Sequence, residues 1–391
     1  MVQKMRKMKD SGIEWIGESP EGWEIKYFVQ LFSQVKNKNI GLREKNLLSL
    51  SYGKIKQKSI ETVGGLLPDN FEGYNIIDRN DIVLRLTDLQ NDQHSLRVGL
   101  SHERGIITSA YCSIRVRGAE SPNYLYYYLH TFDIAKGFYG MGSGVRQGLN
   151  WDGLKYIKIL LPPQHEQDRI SVFLNQKTLE IDSMLSKTIS SIEEYKKLKQ
   201  AVITQAVTEG TPAMFSSPHS VKLKYLISIV SGEAIRNEQL SDFGEYPVYG
   251  GGEIIGFCSQ YNTSEGSLII GRVGARCGCV THTTCKSWAT DNALIVLPTC
   301  NAKYMYYVIG HCQLNNLNTS NAQPLITSTK IKNVVVPYFS DAMQQQEITD
   351  YLDAKCAEID GLITRKEQLV KELESYKKSL IYEVVTGKRE V

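Results

Sequence analysis

The chain has 391 residues, 42% of them hydrophobic, and a formal net charge of +3. That length suits two or three domains with their own cores, and the sequence contains no run of about 18 apolar residues that could cross a membrane. The basic first residues lead into Ser11-Gly12-Ile13-Glu14-Trp15 and not into an apolar segment, so no secretory signal is expected. Eight unevenly spaced cysteines favour a reducing, cytoplasmic location.

A mixed α/β lobe is predicted for residues 18–161. Three apolar runs predict strands and a tyrosine-rich run predicts a helix packed on them: Asp81–Leu86, Ile106–Thr108, Cys112–Val116 and Asn123–His130. Tyrosines 126–128 would suit base stacking, but tyrosines at helical spacing more often pack a core, which we expect here. The glycines from Gly140 to Gly144 follow a helix and not a strand, so we expect a loop and not a cofactor site.

Charge is unevenly distributed along the chain. Residues 1–161 carry 22 Lys and Arg against 17 Asp and Glu, and residues 211–337 carry 9 against 7. The two remaining segments, residues 162–210 and 338–391, are acidic on balance. A polyanion is therefore expected to bind the lobes, and the densest basic cluster is residues 36–58.

A long helix is predicted for residues 162–210. Gln164 to Glu209 contains no Gly or Pro, and if wholly helical it extends about 69 Å. Apolar residues recur with heptad spacing along it, which is typical of a coiled-coil seam. The predicted seam consists of Leu174, Ile181, Tyr195 and Val202, with Met184 and Leu198 in the second seam position.

A second, more compact lobe is predicted for residues 211–337. Ser267–Gly274 is predicted to be a strand that runs into a tight turn, which places Arg272 and Arg276 where a side chain can project from a rigid sheet. Cys277, Cys279, His282 and Cys285 form the best candidate zinc set. Their crowded spacing favours ordinary buried cysteines instead.

The last segment, residues 338–391, repeats the first long helix. Gln167 to Thr208 aligns without a gap onto Gln345 to Thr386 at a constant offset of 178, and Leu352, Ile359, Leu373 and Leu380 continue the seam, with Leu362, Leu369 and Tyr376 in the second position. Outside the helices, Asn123–Leu129 resembles Lys303–Ile309 at nearly the same offset. Amphipathicity cannot explain that match, so the chain is predicted to be an internal duplication.

Taken in order, five motifs resemble the specificity (S) subunit of type I restriction-modification systems along essentially the whole chain. They are Asp10–Gly17, Ile82–Gln90, Leu161–Gln167, Tyr246–Gly251 and Ala289–Ala293. The second lobe departs from the pattern at its end, where Pro337-Tyr338-Phe339-Ser340 replaces the Pro-Pro-Gln-His of the first boundary, which leaves the start of the last helix open.

The resemblance implies an α+β fold of two target recognition domains joined by two long helices that pair as an antiparallel coiled coil. It implies a non-catalytic subunit that reads a bipartite double-stranded DNA site with an unread spacer. It also implies two modification subunits that use S-adenosylmethionine, and restriction subunits that use ATP and Mg. This chain itself is expected to hold no cofactor and no metal.

The residues that contact DNA follow as a hypothesis from the resemblance and the charge pattern. For phosphate contact in the first lobe we select Lys36, Lys38, Arg43, Lys54, Lys56 and Lys58, and for base edges Arg85 and the stretch from Gln90 to Arg97. In the second lobe we select Tyr249, Arg272, Arg276 and Gln323. A coiled-coil scaffold without sequence-specific DNA reading, and a self-sufficient nuclease or methyltransferase, are the alternatives.

Overall fold

A computed structural model describes residues 6–59, 70–90, 92, 95–142, 148–214, 216–274, 276–317 and 325–391. The chain divides into two compact units. Unit 1 is Met1–Lys187 with Leu369–Val391, and unit 2 is Thr188–Gln368. Each unit therefore contains one lobe together with part of each long helix.

Unit 1 is a mixed α/β unit. Its strands are β1 (Met8–Asp10), β2 (Glu18–Pro20), β3 (Glu24–Tyr27), β4 (Phe32–Gln34), β5 (Leu48–Ser51), β6 (Lys54–Gln57), β7 (Asn75–Ile77), β8 (Ile82–Leu84), β9 (Val98–Leu100), β10 (Gly105–Ile107), β11 (Cys112–Val116) and β12 (Lys158–Leu161). Its helices are α1 (Phe28–Leu31), α2 (Pro122–Ile134), α3 (Trp151–Leu154) and the part of α4 (Gln164–Glu209) up to residue 187.

The centre of unit 1 is an antiparallel four-stranded sheet in the order β4-β11-β8-β9. Side chains alternate between its faces, so Ile82 and Leu84 pack in the main core with α2, whereas Val83 packs in a second core with Leu50 and Ile107. Since both faces are covered, β8 is buried at every residue. Two-stranded pairs complete the unit: β1-β2, β3-β12, β5-β6 and β7-β10.

Unit 2 repeats this plan with fewer strands. Its strands are β13 (His219–Lys222), β14 (Ile227–Ser231), β15 (Tyr246–Tyr249), β16 (Ile254–Cys258), β17 (Leu268–Gly271), β18 (Val280–His282), β19 (Trp288–Ala289), β20 (Ala293–Pro298) and β21 (Val335–Tyr338). Its helices are α5 (Ala302–His311), α6 (Ser328–Lys332) and α7 (Ala342–Val385), which passes into unit 1 at residue 369, with short 3-10 helices at Leu223–Tyr225, Asn237–Gln239 and Leu314–Leu317.

The sheet of unit 2 has the strand order β14-β20-β17-β18, which is the order of the unit 1 sheet. Leu268 and Ile270 face the core that holds α5, and Ile269 faces a second core with Tyr249 and Ile295. The pair β13-β21 corresponds to β3-β12. A separate sheet, β16-β15-β19, replaces the additional hairpins of unit 1.

The same buried glutamine contact starts the tyrosine-rich helix in both units. In unit 1 the Gln167 side-chain oxygen accepts a hydrogen bond from the backbone N–H of Ser121, the N-cap of α2, at 2.9 Å. In unit 2 Gln345 accepts from the backbone N–H of Asn301, the N-cap of α5, at 3.2 Å. Amphipathic patterning does not require such a contact, so it confirms the internal duplication.

Each unit also contains one copy of an ion pair between the long helices. Lys377 Nζ lies 2.5 Å from Asp182 in unit 1, and Lys199 Nζ lies 2.6 Å from Asp360 in unit 2. Lys199 lies 17 residues after Asp182 in α4, and Asp360 lies 17 residues before Lys377 in α7. The two helices therefore pair antiparallel, as predicted.

The predicted second seam position is wrong for four of its five residues, and the fifth, Leu362, is half-buried. Met184, Leu198, Leu369 and Tyr376 are exposed, whereas the residues one position later in the chain line the seam: Leu185, Lys199, Val370 and Lys377. The first seam is confirmed by the burial of Leu174, Ile181, Leu352 and Ile359. A lysine is an unexpected seam residue, but its aliphatic stem covers apolar surface while its ammonium reaches an aspartate on the facing helix.

The start of the last helix is settled at Ala342, and α4 spans the predicted residues Gln164–Glu209. Tyr127 and Tyr128 are buried, which confirms their packing role. The glycine loop from Gly140 to Gly144 extends beyond the described residues. Among the described helices, none combines the length and apolar character needed to cross a membrane.

Candidate nucleic-acid interface

The predicted base-reading residues of both lobes fall in equivalent loops. Arg85, Gln90 and Arg97 lie in the loop from residue 85 to residue 97, which joins β8 to β9. Arg272 and Arg276 lie in the loop from residue 272 to residue 279, which joins β17 to β18. In each unit these are the third and fourth strands of the four-stranded sheet, so duplication places the two loops at the same position of the fold.

Loop 85–97 alternates between buried apolar and exposed polar residues. Leu86 and Leu89 are buried in the main core of unit 1, whereas Thr87 and Gln90 are exposed. Arg85 is half-buried and its guanidinium lies 3.4 Å from the Asp92 carboxylate. The loop thus exposes the hydrogen-bonding side chains of Thr87 and Gln90, which are residue types that can pair with base edges. Thr87 was missed from the sequence, because nothing local marks its exposure.

Arg97 does not lie on the surface. It is fully buried, and its guanidinium donates to Tyr139 and to main-chain carbonyls of the same loop. Its backbone N–H donates to the Asp133 carboxylate at 2.6 Å. The prediction that Arg97 contacts base edges therefore does not fit its position, and we assign it a role inside the lobe.

Asp133 is the buried acid behind this loop. It is 2% exposed, and its Oδ1 has no hydrogen-bond partner among the described residues. Burial raises the pKa of Asp133 to about 6, although the Arg97 backbone N–H and positive charge act in the opposite direction. The Asp133 carboxylate and the Arg97 guanidinium are thus buried charged groups in the same part of unit 1.

Loop 272–279 is held by close backbone packing. A Cβ on Gly271 would lie 2.3 Å from the carbonyl oxygen of Gly251, and a Cβ on Gly278 would lie 2.4 Å from the backbone nitrogen of Asn315. Gly278 also has φ +86°, a conformation that L side chains rarely adopt. Neither position accepts a side chain, and that requirement fixes the path of the loop.

The two arginines of this loop differ in exposure. Arg272 is half-buried, and its backbone is fixed on both sides, since its N–H donates to Asn292 and its carbonyl accepts from Ile326, each at 3.0 Å. Arg276 is exposed and lies 3.8 Å from the Glu253 carboxylate. The backbone that carries Arg272 is thus fixed, and a guanidinium is the side-chain group that makes bidentate contacts with guanine.

The other two selected residues of the second lobe have different outcomes. Tyr249 is 8% exposed and packs in the core beside Ile269, and burial, followed by the nearby Cys285, raises the pKa of its hydroxyl. That packing leaves little of Tyr249 for contact with DNA. Gln323 lies outside the described residues.

The selected basic residues of the first lobe lie in the segment from β4 to β6 and the residues that follow it. Lys36, Arg43, Lys56 and Lys58 are exposed, and Lys38 is half-buried with its ammonium donating to the Gly73 carbonyl at 2.7 Å. Arg43 donates weakly to the Lys38 carbonyl at 3.4 Å. Lys36, Arg43, Lys56 and Lys58 therefore suit phosphate contact best.

Lys54 has a different environment. Its ammonium lies 2.8 Å from Asp182 on α4, the same carboxylate that binds Lys377. Burial alone would raise the pKa of Asp182, but hydrogen bonds and attraction from Lys377 and Lys54 lower it below the ordinary value. Phosphate contact by Lys54 would compete with this ion pair.

The three cysteines of the candidate zinc set differ in exposure. Cys277 is buried and donates to the Arg272 carbonyl, whereas Cys279 and Cys285 are exposed, so the prediction of buried cysteines is wrong for these two. Among the residues that the structure describes, no group of three or more His, Cys, Asp or Glu side chains could hold a metal ion.

The second lobe is similar to a known protein family. Residues 219–372 match the family described as the type I restriction modification DNA specificity domain. The specificity subunit of the type I restriction enzyme EcoprrI from Escherichia coli is 30% identical over 91 residues, an alignment that spans only 23% of this chain and 23% of that protein.

Solved structures extend the likeness to the fold of the whole chain. A chain from a structure of complex assembly and conformational transition of the type I R-M system has a TM-score of 0.72 at 15% identity, over 95% of this chain and 99% of that one. The HsdS subunit from Thermoanaerobacter tengcongensis has a TM-score of 0.52 at 15% identity, over 95% of this chain and 98% of that one. Residues 219–372 are therefore similar to the type I restriction modification DNA specificity domain, and the chain as a whole shares the fold of these two solved structures.

Proposed function

We propose that this chain is the non-catalytic DNA sequence-recognition subunit of a type I restriction-modification enzyme. Each unit reads one half of a bipartite double-stranded site, and the base pairs between the halves are not read. The proposal depends on the equivalent positions of loops 85–97 and 272–279 in the two units, since both loops have exposed polar or basic side chains. It is supported by the match of the second lobe to a DNA specificity domain.

The two units are unlike in the chemistry that they offer to DNA. Loop 85–97 offers an exposed threonine and glutamine, with Arg85 paired to Asp92, whereas loop 272–279 offers two arginines. Glutamine pairs well with adenine and arginine with guanine, so the two half-sites are expected to differ in sequence. The exposed lysines before β8 supply attraction to phosphate that does not depend on sequence.

Catalysis belongs to partner subunits in this proposal. Two modification subunits supply adenine methylation with S-adenosylmethionine, and restriction subunits supply the chemistry that uses ATP and Mg. The long helices provide their docking surface, in keeping with the exposed apolar side chains Val172 and Leu179 on α4.

Selection of bound sequences from a random pool of double-stranded DNA by the purified full chain tests the proposal. We expect two unlike conserved blocks with unselected positions between them. Arg272→Ala should relax one block by about 1 to 3 kcal/mol and leave the other unchanged. Arg365→Ala, the same change on the exposed face of α7, is the matched control and should alter neither block.

Binding without any selected sequence would refute the proposal. It would favour the alternative of a coiled-coil scaffold that does not read DNA sequence, particularly if that binding were lost as salt is raised.

A further inference from the structure

Resting on the proposed function, we propose that Arg97 is a positioning residue that holds loop 85–97 in the shape that presents Thr87 and Gln90 to base edges. Arg97 itself does not touch DNA, since it is fully buried. The side chains that discriminate between bases in the half-site of unit 1 are Thr87 and Gln90.

The guanidinium of Arg97 uses all of its donors within the lobe. An arginine side chain carries five N–H groups in one plane. Nε donates to the Tyr139 hydroxyl at 3.1 Å, and Nη1 donates to the carbonyls of Arg85 and Thr87 at 3.1 and 2.8 Å. Nη2 donates to the carbonyl of Asp88 at 3.2 Å and to that of Asp92. Four of the five bonds therefore fix the backbone of one segment, from residue 85 to residue 92.

That segment has a backbone shape that needs support. Asp88 has φ +58°, in the left-handed region that residues other than glycine seldom adopt. Its carbonyl is one of the four that Arg97 binds, and its neighbour Leu89 is 1% exposed in the main core. The hydrogen bonds from Arg97, which we call the clamp, and the buried side chain of Leu89 together hold this segment so that Thr87 and Gln90 point outward on either side of Asp88 and Leu89.

The clamp requires the planar fork of an arginine. A lysine at this position keeps the positive charge but offers three donors from a single nitrogen, which cannot reach carbonyls distributed around the guanidinium plane. Arg97→Lys should therefore release the loop while leaving the net charge of the lobe unchanged. Non-specific attraction to DNA, which depends on phosphate contacts, should keep its salt dependence.

The test is sequence selection by the full chain, carried out with five proteins. They are the wild type, Arg97→Lys, the double variant Thr87→Ala with Gln90→Ala, the control Leu125→Ala, and Arg272→Ala. Leu125 lies on α2 in the same core and is not one of the residues to which the Arg97 side chain donates. Arg272→Ala marks which conserved block belongs to unit 2, and the other block is then assigned to unit 1.

We expect Arg97→Lys to lower discrimination at the unit 1 block by about 10-fold, with the unit 2 block and the salt slope unchanged. The double variant should cause a similar loss at the same block without lowering the melting temperature. Leu125→Ala should lower the melting temperature and leave both blocks intact.

Retention of the wild-type unit 1 block by Arg97→Lys, or by the double variant, would overturn the inference. Loss of that block in Leu125→Ala would also overturn it, since the loss would then reflect general destabilisation. Should Arg97→Lys unfold unit 1, which the fluorescence of Trp15, Trp23 and Trp151 reports, Tyr139→Phe replaces it, because this change removes the acceptor of Arg97 Nε and keeps the arginine. Tyr139→Phe should then lower discrimination at the unit 1 block, and an unchanged block would overturn the inference. A wild type that selects no sequence refutes the proposed function itself and is a separate outcome.

Discussion

Replacing the buried glutamine at the start of α4 tests the packing that the two units share. Gln167 is 1% exposed, and its amide makes three hydrogen bonds: it accepts from the Ser121 N–H at 2.9 Å and donates to Glu120 at 2.9 Å and to the Pro162 carbonyl at 3.0 Å. Methionine has nearly the same volume and removes all three bonds. The change therefore isolates the polar contribution from that of a cavity.

The expected cost follows from the groups left behind. A buried donor or acceptor without a partner costs about 1 to 3 kcal/mol, and the Ser121 N–H is such a donor because the N-cap of α2 is buried. The other two hydrogen bonds add their net contribution to stability, so Gln167→Met should lower the free energy of unfolding of unit 1 by about 3 kcal/mol. Gln345 makes two corresponding bonds, to the Asn301 N–H and the Phe339 carbonyl, so Gln345→Met should cost about 2 kcal/mol in unit 2.

Urea denaturation measures both effects. Three of the four tryptophans lie in unit 1, so intrinsic fluorescence reports that unit, and far-ultraviolet circular dichroism reports the whole chain. The matched control is Gln164→Met, an exposed glutamine one turn earlier in α4. A loss in Gln167→Met no larger than in Gln164→Met would refute the argument that this amide is a shared structural contact.

Three further predictions concern charge. Asp133→Asn should stabilise unit 1 at pH 8 by about 3 kcal/mol. This advantage should disappear as pH falls from about 6 to about 4, because the native wild type holds the Asp133 proton up to its raised pKa. The difference between the denaturation profiles of Asp133→Asn and the wild type over that range isolates the effect from other titrating groups. Asp182→Ala should lower the free energy of unfolding by about 1 kcal/mol and Asp360→Ala by about 0.5 kcal/mol, measured by urea denaturation at low salt. The first cost is larger because the Asp182 carboxylate is less exposed and binds two lysines. Equal costs would contradict this account of the ion pairs. Lys56→Ala with Lys58→Ala should reduce the slope of log affinity against log salt by about 1 per lysine that contacts phosphate, measured by DNA binding, whereas an unchanged slope would remove both lysines from the interface.

The pH dependence of the whole chain conceals the Asp133 effect. Burial, together with Lys377 and Lys378, lowers the pKa of His130 to about 4. As pH falls below about 6.5, the unfolded state binds a proton at His130 before the folded state does, so His130 lowers the free energy of unfolding. Over the same range the protonation of Asp133 raises the free energy of unfolding. Only the comparison of Asp133→Asn with the wild type separates the two contributions.

The long helices and the duplication could be predicted from the sequence because both are written locally. Runs without Gly or Pro extend as helix, and a constant offset between two such runs is visible without knowing their packing. The second seam position could not be predicted in the same way. Met184 and Leu198 form a more apolar series than Leu185 and Lys199, and only the position of Asp360 on the facing helix explains why a lysine lines the seam.

The places of the candidate residues in the fold could be predicted from the sequence, whereas their side-chain contacts could not. Polar and basic residues after a buried strand indicate a loop on a rigid sheet, and the structure places both predicted groups in equivalent loops. Arg97 and Gln90 have the same local signal, since both follow β8 in a polar stretch. Their roles separate only when the loop folds back on Tyr139 and Asp133, which lie about 40 residues later in the chain.

The most direct test of the central claim is the adenine-methylation motif in DNA from a cell that expresses this chain with its modification subunit. Recognition of one half-site by each unit predicts two unlike conserved blocks separated by unread base pairs, with Arg272→Ala relaxing only one of them. A single continuous motif, or methylation without a motif, would contradict the claim.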